Sequence, residues 1–426
     1  MRRTTDIMTL SSSTEQSDDS ARHAVRAEQF SGPAEHFAFA GSDHLCSARG
    51  GLPSFDDPRL AAESLARGDH AAIVGALAFD SRTPSALTAP AHVCFEPRPT
   101  TWTATQGAVS ANIVAAEPRP TEHRERVDAA VAVLADPASP LAKVVLARKL
   151  LLHSADLSPE LLCAALATQN PESGIFRTSL APAGAAYHGR YLVGASPEVL
   201  VRRRGTRVSA HPLAGSAARH RDPTVDTERA RTLSSSAKDL GEHSFVIEAL
   251  RSALTPLCSH LDVPEAPSIV RTSTMWHLGT PIVGELADAS TTALDLAIAV
   301  HPTPAVCGTP TDTAREYIRA TEGDRGFYGG AVGWCLGELA PGTRPGEYRG
   351  ADGATVSDRR DMAGTLSSGD GEWLVAIRCA EIDSRTGDVT TWAGGGIVAE
   401  SDPDAEVTET TAKLRTVLRA LGADED

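Results

Sequence analysis

Aromatic side chains make up only 4% of this 426-residue sequence. So thin a supply argues against a base-stacking surface of the kind on which single-stranded nucleic acids lie. Positive charge is also in deficit: 40 Lys and Arg face 55 Asp and Glu, a formal net charge of −15. A chain of that sign suits neither a phosphate backbone nor an anionic lipid surface, so no nucleic-acid partner and no membrane partner is expected. Long apolar runs are missing, and nothing approaches the roughly 20 residues that a membrane-spanning helix needs. The N-terminus, MRRTTDIMTLSSSTEQSDDSARH, contains acids and no apolar stretch, and fits neither a signal nor a transit peptide. Cysteines are few and dispersed: Cys46, Cys94, Cys163, Cys258, Cys307, Cys335 and Cys379, never spaced as CxxC. A disulfide framework or thiolate zinc site is therefore not expected, and reduced thiols in a cytoplasmic protein are the simple reading. The usual phosphate-loop, nucleophile-elbow and zinc-hydrolase motifs are absent as well.

What is present is a globular chain. Hydrophobic residues reach 41%, enough for a full core. Residues 1–40, rich in Ser, Thr, Asp and Gln near the start, are expected to be a disordered or loosely ordered tail ahead of one large domain at 41–426, with core motifs at 135–421. Strand-like segments include AAIVGALAFD (71–80), KVVLARKLLL (143–152), RYLVGASPEVLVRR (190–203), FYGGAVGWC (327–335), WLVAIRCAEI (373–382) and DVTTWAGGGIV (388–398). Helical patterns lie near 122–134, 158–168, 226–257, 293–299, 312–321 and 403–421. The alternation is irregular, without a βαβ rhythm or an internal repeat, which predicts an α+β fold: two mostly antiparallel β-sheets packed together and flanked by helices. Residues 337–370, rich in Gly, Asp, Arg and Ser, form a long connection expected to be a flexible insertion.

Two of the predicted helices carry carboxylates where apolar residues belong. At 100° per residue, Asp239, Glu242, Val246, Leu250, Leu254 and Leu257 share one narrow stripe. The acids head the apolar face, where an unpaired carboxylate needs a cation or a proton. The second helix opens at Ser401-Asp402-Pro403, a cap followed by proline. On it, Glu406, Glu409 and Lys413 flank an apolar face built from Val407, Leu414, Val417, Leu418 and Leu421. Two such acid pairs could clamp a hard cation, although most acids at this spacing are simply solvated.

The other candidates stand singly. Lys143 opens an apolar strand, and a buried lysine can act as a base. Glu198 lies in GASPEVL, on strand-like sequence. His243 and His301 could exchange protons, although a lone histidine is more often structural. Arg378 sits centrally in an apolar strand and needs a carboxylate partner, from protein or ligand. The triplet Gly394-Gly395-Gly396 marks either a bulge or backbone that approaches a ligand closely.

Taken together, these segments resemble the chorismate-utilising enzymes, which include anthranilate synthase component I, aminodeoxychorismate synthase component I, salicylate synthase and isochorismate synthase. The resemblance rests on IVGALAFD (73–80), KVVLARK (143–149), LVGASPEVLV (192–201), HPLAGSAAR (211–219), KDLGEHSFVIE (238–248), HLGTPIVGEL (277–286), HPTPAVCGTP (301–310), RGFYGGAVGW (325–334), GEWLVAIRCAEI (371–382), AGGGIV (393–398) and ESDPDAEVTETTAKL (400–414). KVVLAR and HPTPAVCGTP resemble the isochorismate synthase branch, in which Lys143 matches a lysine where amine-transferring relatives usually carry Gln.

The resemblance implies conversion of chorismate to isochorismate by water addition at C2 and loss of the C4 hydroxyl. It implies Lys143 as the base for water and Glu198 as the acid for the leaving group. It implies Mg2+ held directly by Glu242 and Glu409, with Asp239 and Glu406 reaching it through water. Tyr328, Arg378 and the backbone at Gly394, Gly395 and Gly396 would hold the enolpyruvyl carboxylate, and Lys413 would add positive charge. His301 would sit close to the ring, and Gly215 would bring backbone near the attacking water. A monomer is implied as well.

This chain departs from the family pattern in carrying Ser216 where Thr is usual, Gly395 where Ala is common, and the longer 337–370 connection. Two other activities share much of this residue set: a salicylate synthase, which goes on to eliminate pyruvate, and a non-catalytic chorismate-binding subunit.

Overall fold

The computed structural model describes residues 35–99, 102, 109–338, 340–341, 347–349, 355–358 and 366–423. Among them, twenty strands are joined in one hydrogen-bonded network, and a three-stranded sheet is built from Leu213–Ala218, Ser268–Arg271 and Met275–Gly279. Every strand pair among the described residues is antiparallel except Thr355–Asp358, which runs parallel to Ala86–Pro97. Among the described residues, eight α-helices pack around the strands, in keeping with the expected α+β class. None of the described helices is long and apolar enough to cross a membrane. The seven cysteines form no disulfide, and Cys307 and Cys379 are fully buried packing residues.

The expected tail ends earlier than its composition implied. Glu35–Ala40 is a strand paired on both edges, with Phe37 and Phe39 fully buried, and residues 1–34 lie outside the described residues. Much of the 337–370 insertion also lies outside them. Its described pieces include the strands Ala340–Pro341, Glu347–Arg349 and Thr355–Asp358, so those parts are not the structureless connection that composition suggested.

Three segments read as continuous elements are broken, and two of the breaks build the site. The 226–257 helical stretch divides at Ser236, whose extended backbone ends Pro223–Ser235 and whose hydroxyl caps Ala237–Leu254 by accepting from Asp239 N. The 190–203 stretch divides at Pro197-Glu198 into Arg190–Ser196 and Val199–Arg204. Proline there has no N–H to give a ladder. The 373–382 stretch divides at Ala376–Arg378 into Gly371–Val375 and Cys379–Asp383. The breaks lie side by side, because Cys379–Asp383 pairs with Arg190–Ser196 and Gly371–Val375 pairs with Val199–Arg204. Two cross-links join the corners: Val375 N donates to Glu198 O at 3.1 Å, and Ala195 N donates to Arg378 O at 3.1 Å.

The central strand, Lys143–His153, pairs from Val144 to His153 with Asp388–Ile397. Its first six residues are buried, as an apolar strand covered on both faces requires. The helix Pro403–Ala420 lies against Asp388–Ile397 and begins at Asp402, whose carboxylate accepts from Ala405 N at 2.7 Å.

Candidate active site

The paired corners place a carboxyl and a guanidinium at one cleft. It is lined by Glu198, Gly215, Ser216, Glu242, His277, Tyr328, Arg378, Gly394, Gly396, Glu409 and Lys413, with Val145, Ala305, Val306 and Ile377 among its apolar walls. Glu198 and Arg378 are not mid-strand residues, as the sequence suggested. A mid-strand side chain would face one sheet surface, whereas these turn into the gap between corners. Arg378 is the sole non-glycine residue with positive φ among the described residues, at 51°. That left-handed backbone is costly for arginine and marks a place where surrounding structure imposes the direction. Its guanidinium is 8% exposed and makes no hydrogen bond to a described residue. It is thus an anchor available to a ligand anion.

Glu198 is 3% exposed. Burial pushes its carboxyl up to about 7, against the opposing influence of the Leu213 backbone amide and the charges of Lys143, Arg378 and Lys413. At neutral pH a large share of it carries its proton.

Lys143 lies at the other end of the constellation, fully buried, with Nζ 3.0 Å from Glu242 Oε1. This is an ion-pair distance, but Nζ lies off hydrogen-bond geometry. The close approach depends on Gly396. A Cβ at Gly396 would stand 1.9 Å from Glu242 Oε1 and 3.0 Å from Lys143 Cε. Gly394 serves differently: its carbonyl accepts from Lys413 Nζ at 2.9 Å, and a Cβ on it would meet the Tyr328 hydroxyl at 3.1 Å. Tyr328 in turn stacks on Trp392, with centroids 5.7 Å apart. Gly395 does not line this cleft. In an extended strand alternate residues face opposite sides, and its Cα faces Glu406 Oε2, which a Cβ would approach to 2.8 Å. Its missing methyl therefore leaves room beside a carboxylate rather than shaping the cleft wall.

The two acid-bearing helices are joined where Lys238 of the first reaches Glu406 of the second, an outcome that spacing alone left open. Glu242, Val246, Leu250 and Leu254 form the buried face of Ala237–Leu254. On Pro403–Ala420, Glu406 lies within the buried face rather than beside it, with Thr410, Leu414 and Val417, while Val407 is only half-buried. Each carboxylate has partners. Glu409 Oε1 is 2.6 Å from Lys413 Nζ and accepts from Ser216 Oγ at 2.8 Å. The hydroxyl kept by the Thr-to-Ser departure is thus in use. Glu406 Oε1 accepts from Lys238 Nζ and from Ser401 Oγ, while its Oε2 is buried without a partner. Glu406 and Glu409 share their charge unequally. Burial and the neighbouring Glu409 charge push Glu406 up; Lys413 and Lys238, with hydrogen bonds from Lys413 and Ser216, hold Glu409 down against its burial. Asp239, packed against Gly215, is pushed up mainly by burial. Gly215 has φ +79° at an irregularity of its strand, a conformation suited to glycine. Among the described residues, no three His, Cys, Asp or Glu side chains stand close enough to form a ready-made metal cage.

One histidine lies elsewhere than the resemblance implied, and another keeps the structural role a lone histidine more often has. His301 does not line the cleft. Its Nε2 donates to Ala78 O at 2.9 Å, and it borders a different cavity of about 600 Å³ with Arg59, Arg82 and Arg315. His243 is structural, bonded to Ala214 O at 3.2 Å and Thr280 Oγ1 at 2.8 Å. The histidine in the cleft is His277, which single-residue reasoning missed. It is 5% exposed, its Nε2 has no partner, and burial, aided by Arg378 and Lys413, lowers its pKa to about 3. It is therefore a neutral imidazole. The available signal was a polar ring in the apolar strand MWHLG. Lys238 was missed as well; it stands one turn before Glu242 and reaches the neighbouring helix.

A model of the chorismate-binding enzyme family matches residues 95–349 and 364–422. An isochorismate synthase of Bacillus subtilis, DhbC, is 45% identical over 309 residues, covering 72% of this chain and 69% of the relative. A Mycobacterium tuberculosis protein provisionally named as the isochorismate synthase MenF is 42% identical over 394 residues, covering 92% of this chain and 98% of the relative. A crystal structure from Bacillus anthracis, provisionally described as a 2,3-dihydroxybenzoate-specific isochorismate synthase, superposes with TM-score 0.78 at 34% identity, covering 93% of this chain and 99% of that one.

Proposed function

The chain belongs to the chorismate-binding enzyme family, and on that footing we propose that it is an isochorismate synthase, isomerising chorismate by moving hydroxyl from C4 to C2. The observation that carries this reading is a cleft that offers a buried, substantially protonated carboxyl and an unpaired guanidinium, with the buried Lys143 set against the cleft residue Glu242. Water is a poor nucleophile and hydroxide a poor leaving group, so the reaction needs a base and an acid at once.

In this reading Lys143, acting as the neutral amine, takes a proton from water as its oxygen bonds to C2. The ring double bonds shift, the C4–O bond breaks, and Glu198 gives its proton to the departing oxygen. One water enters and one leaves, so no other reactant is consumed. Arg378 and Tyr328 hold the enolpyruvyl carboxylate, and Lys413 offsets the substrate's second charge. The neutral His277 borders the ring site, in place of the role first given to His301.

The carboxylates suit Mg2+ by their chemistry: all four are hard oxygen donors, and the buried Glu406 Oε2 has no hydrogen bond to lose. Glu242 and Glu409 would hold the ion, with Asp239 and Glu406 as outer partners. Bound Mg2+ would supply positive charge beside the C1 carboxylate, helping the ring accept electron density.

Chromatography of a chorismate incubation tests the reading. Isochorismate is expected as the product, with turnover abolished by EDTA and restored by added Mg2+. Salicylate with pyruvate would replace the assignment by a synthase that continues to elimination. Binding without turnover would make the protein a chorismate-binding subunit.

The acid role carries a pH prediction. The Glu198 proton is present below about 7 and is lost as pH rises through that value, so kcat should fall on the alkaline side. Glu198→Gln should remove that limb together with most of the activity. A wild-type rate that stays level to pH 9 would assign the acid elsewhere.

A further inference from the structure

The strand that carries Lys143 has a gap on one edge. Gly308–Thr309 pairs with it only at Lys143 and Val144, and Asn112–Glu117 pairs with it only from Lys149 onward. In between, its backbone groups need other partners, because a buried amide or carbonyl left unpaired is costly. Val145 N finds one by donating to Cys307 O at 2.8 Å. Two more of its backbone groups are met by side chains. Ala147 N donates to Glu322 Oε1 at 2.7 Å, and Arg325 Nη2 donates to Val145 O at 2.7 Å. The two side chains are themselves joined by a forked ion pair, Nε to Oε2 and Nη2 to Oε1, both at 2.8 Å. A carboxylate oxygen stands where a neighbouring strand would offer a carbonyl, and a guanidinium stands where it would offer an amide.

The same pair reaches the other walls of the cleft. Arg325 Nη1 donates to Val306 O at 2.9 Å, and its guanidinium lies 4.8 Å from the Phe79 ring centroid and 6.0 Å from that of Tyr328. Val145, Val306 and Tyr328 all line the cleft, yet neither Glu322 nor Arg325 does. Both side chains are nearly buried, at 8% and 2% exposure. Val145 is also the residue paired with Gly396 across the opposite edge, where Lys143 and Glu242 meet.

We infer that Glu322 and Arg325 are positioning residues for the isomerisation, a side-chain bracket that replaces a missing strand and fixes the Lys143 strand against the Val306 segment and Tyr328. The inference rests on the isochorismate synthase reading for its activity assay. A displacement of about 1 Å at a reacting group can cost about a hundredfold in rate, with ground-state binding little changed.

Four variants test the bracket: Glu322→Ala, Glu322→Gln, Arg325→Lys and, as a surface control, Glu316→Gln. Rates are taken per folded molecule. Glu322→Ala is expected to lower kcat about a hundredfold while KM for chorismate moves less than about threefold. Glu322→Gln should recover at least a tenth of the wild-type rate, because its amide oxygen can still accept from Ala147. Arg325→Lys keeps the charge but cannot reach Val145 O and Val306 O together, and should fall about tenfold or more. Hydrogen exchange of the Ala147 amide should speed up in Glu322→Ala and not in the control.

If Glu322→Ala fails to fold because it strands the Arg325 charge, the Gln and Lys variants decide. Unchanged kcat in folded Glu322→Gln and Arg325→Lys, with only the thermal midpoint lowered, would overturn the inference by reducing the pair to a structural brace. An unaltered Ala147 exchange rate would overturn it as well. Should the wild-type protein itself leave chorismate unchanged, the isomerase reading fails instead, and amide exchange still tests the bracket.

Discussion

Lys143→Gln is expected to lower water addition to chorismate by at least about a hundredfold, the lower end of what a positioned base contributes. Gln is the informative replacement. It is close to lysine in reach, can hydrogen-bond to Glu242, and cannot take a proton from water. Lys143→Ala should be at least as inactive, but it also leaves the Glu242 carboxylate, 8% exposed, without its partner at 3.0 Å. Removing one member of a buried ion pair typically costs about 3–5 kcal/mol, so a loss in the alanine variant alone would mix chemistry with stability. Chorismate affinity in the Gln variant, measured by calorimetry with Mg2+ present, should stay within about tenfold of wild type because Arg378, Tyr328 and Lys413 are untouched. Loss of binding with loss of rate would make Lys143 a structural residue. Retention of more than a tenth of the rate would place the base elsewhere.

The second large effect is expected at a residue with no side chain. Gly396→Ala introduces a methyl at the point where Glu242 Oε1 would be 1.9 Å away and Lys143 Cε 3.0 Å away. No real Cβ tolerates the first distance, so Glu242 must swing aside and its alignment with Lys143 is lost. Base placement and the carboxylate proposed to hold Mg2+ are disturbed together. The expected result is a drop in kcat/KM of about a thousandfold, with a raised Mg2+ requirement. Gly395→Ala is the matched control. Its Cβ would face Glu406 Oε2 at 2.8 Å, an oxygen with no hydrogen bond to break, on the side of the strand away from the cleft. It should lose at least tenfold less activity than Gly396→Ala. Equal losses would mean that the strand as a whole, rather than the Glu242 contact, is sensitive.

The contrast between neighbouring glycines shows where sequence reading reached its limit. Spacing alone placed Glu242 at the head of an apolar stripe, and the structure buries it there with Val246, Leu250 and Leu254. Helical periodicity is a local property, so the stripe could be read without knowing the fold. The cap and proline that open the Glu409 helix were readable for the same reason. Arg378 was recognised as unusual and Glu198 was singled out by the resemblance, but their positions at paired corners could not be seen, because a strand break depends on which neighbours each half joins. The triplet Gly394-Gly395-Gly396 was treated as one feature. Pairing with the Lys143 strand sends its members to different sides, one against Glu406 and two to the cleft. His301 and His277 were exchanged because both lie in family motifs and only packing decides which imidazole meets the cleft.

By itself, the sequence determined what short-range physics can dictate: an α+β chain with a large apolar core, two helices with acids on their buried faces, and an ordered series of motifs shared with the chorismate-binding family. It also supplied, in its shortage of positive charge, the question of how an acidic protein receives a dicarboxylate. Only the tertiary structure shows which charges meet at the cleft. Lys143, Lys238 and Lys413 each turn onto a carboxylate and leave Arg378 as the unpaired guanidinium at the cleft. The reason is physical: net charge sums over the whole surface, whereas the field a ligand meets depends on which charges burial brings within a few ångströms of it.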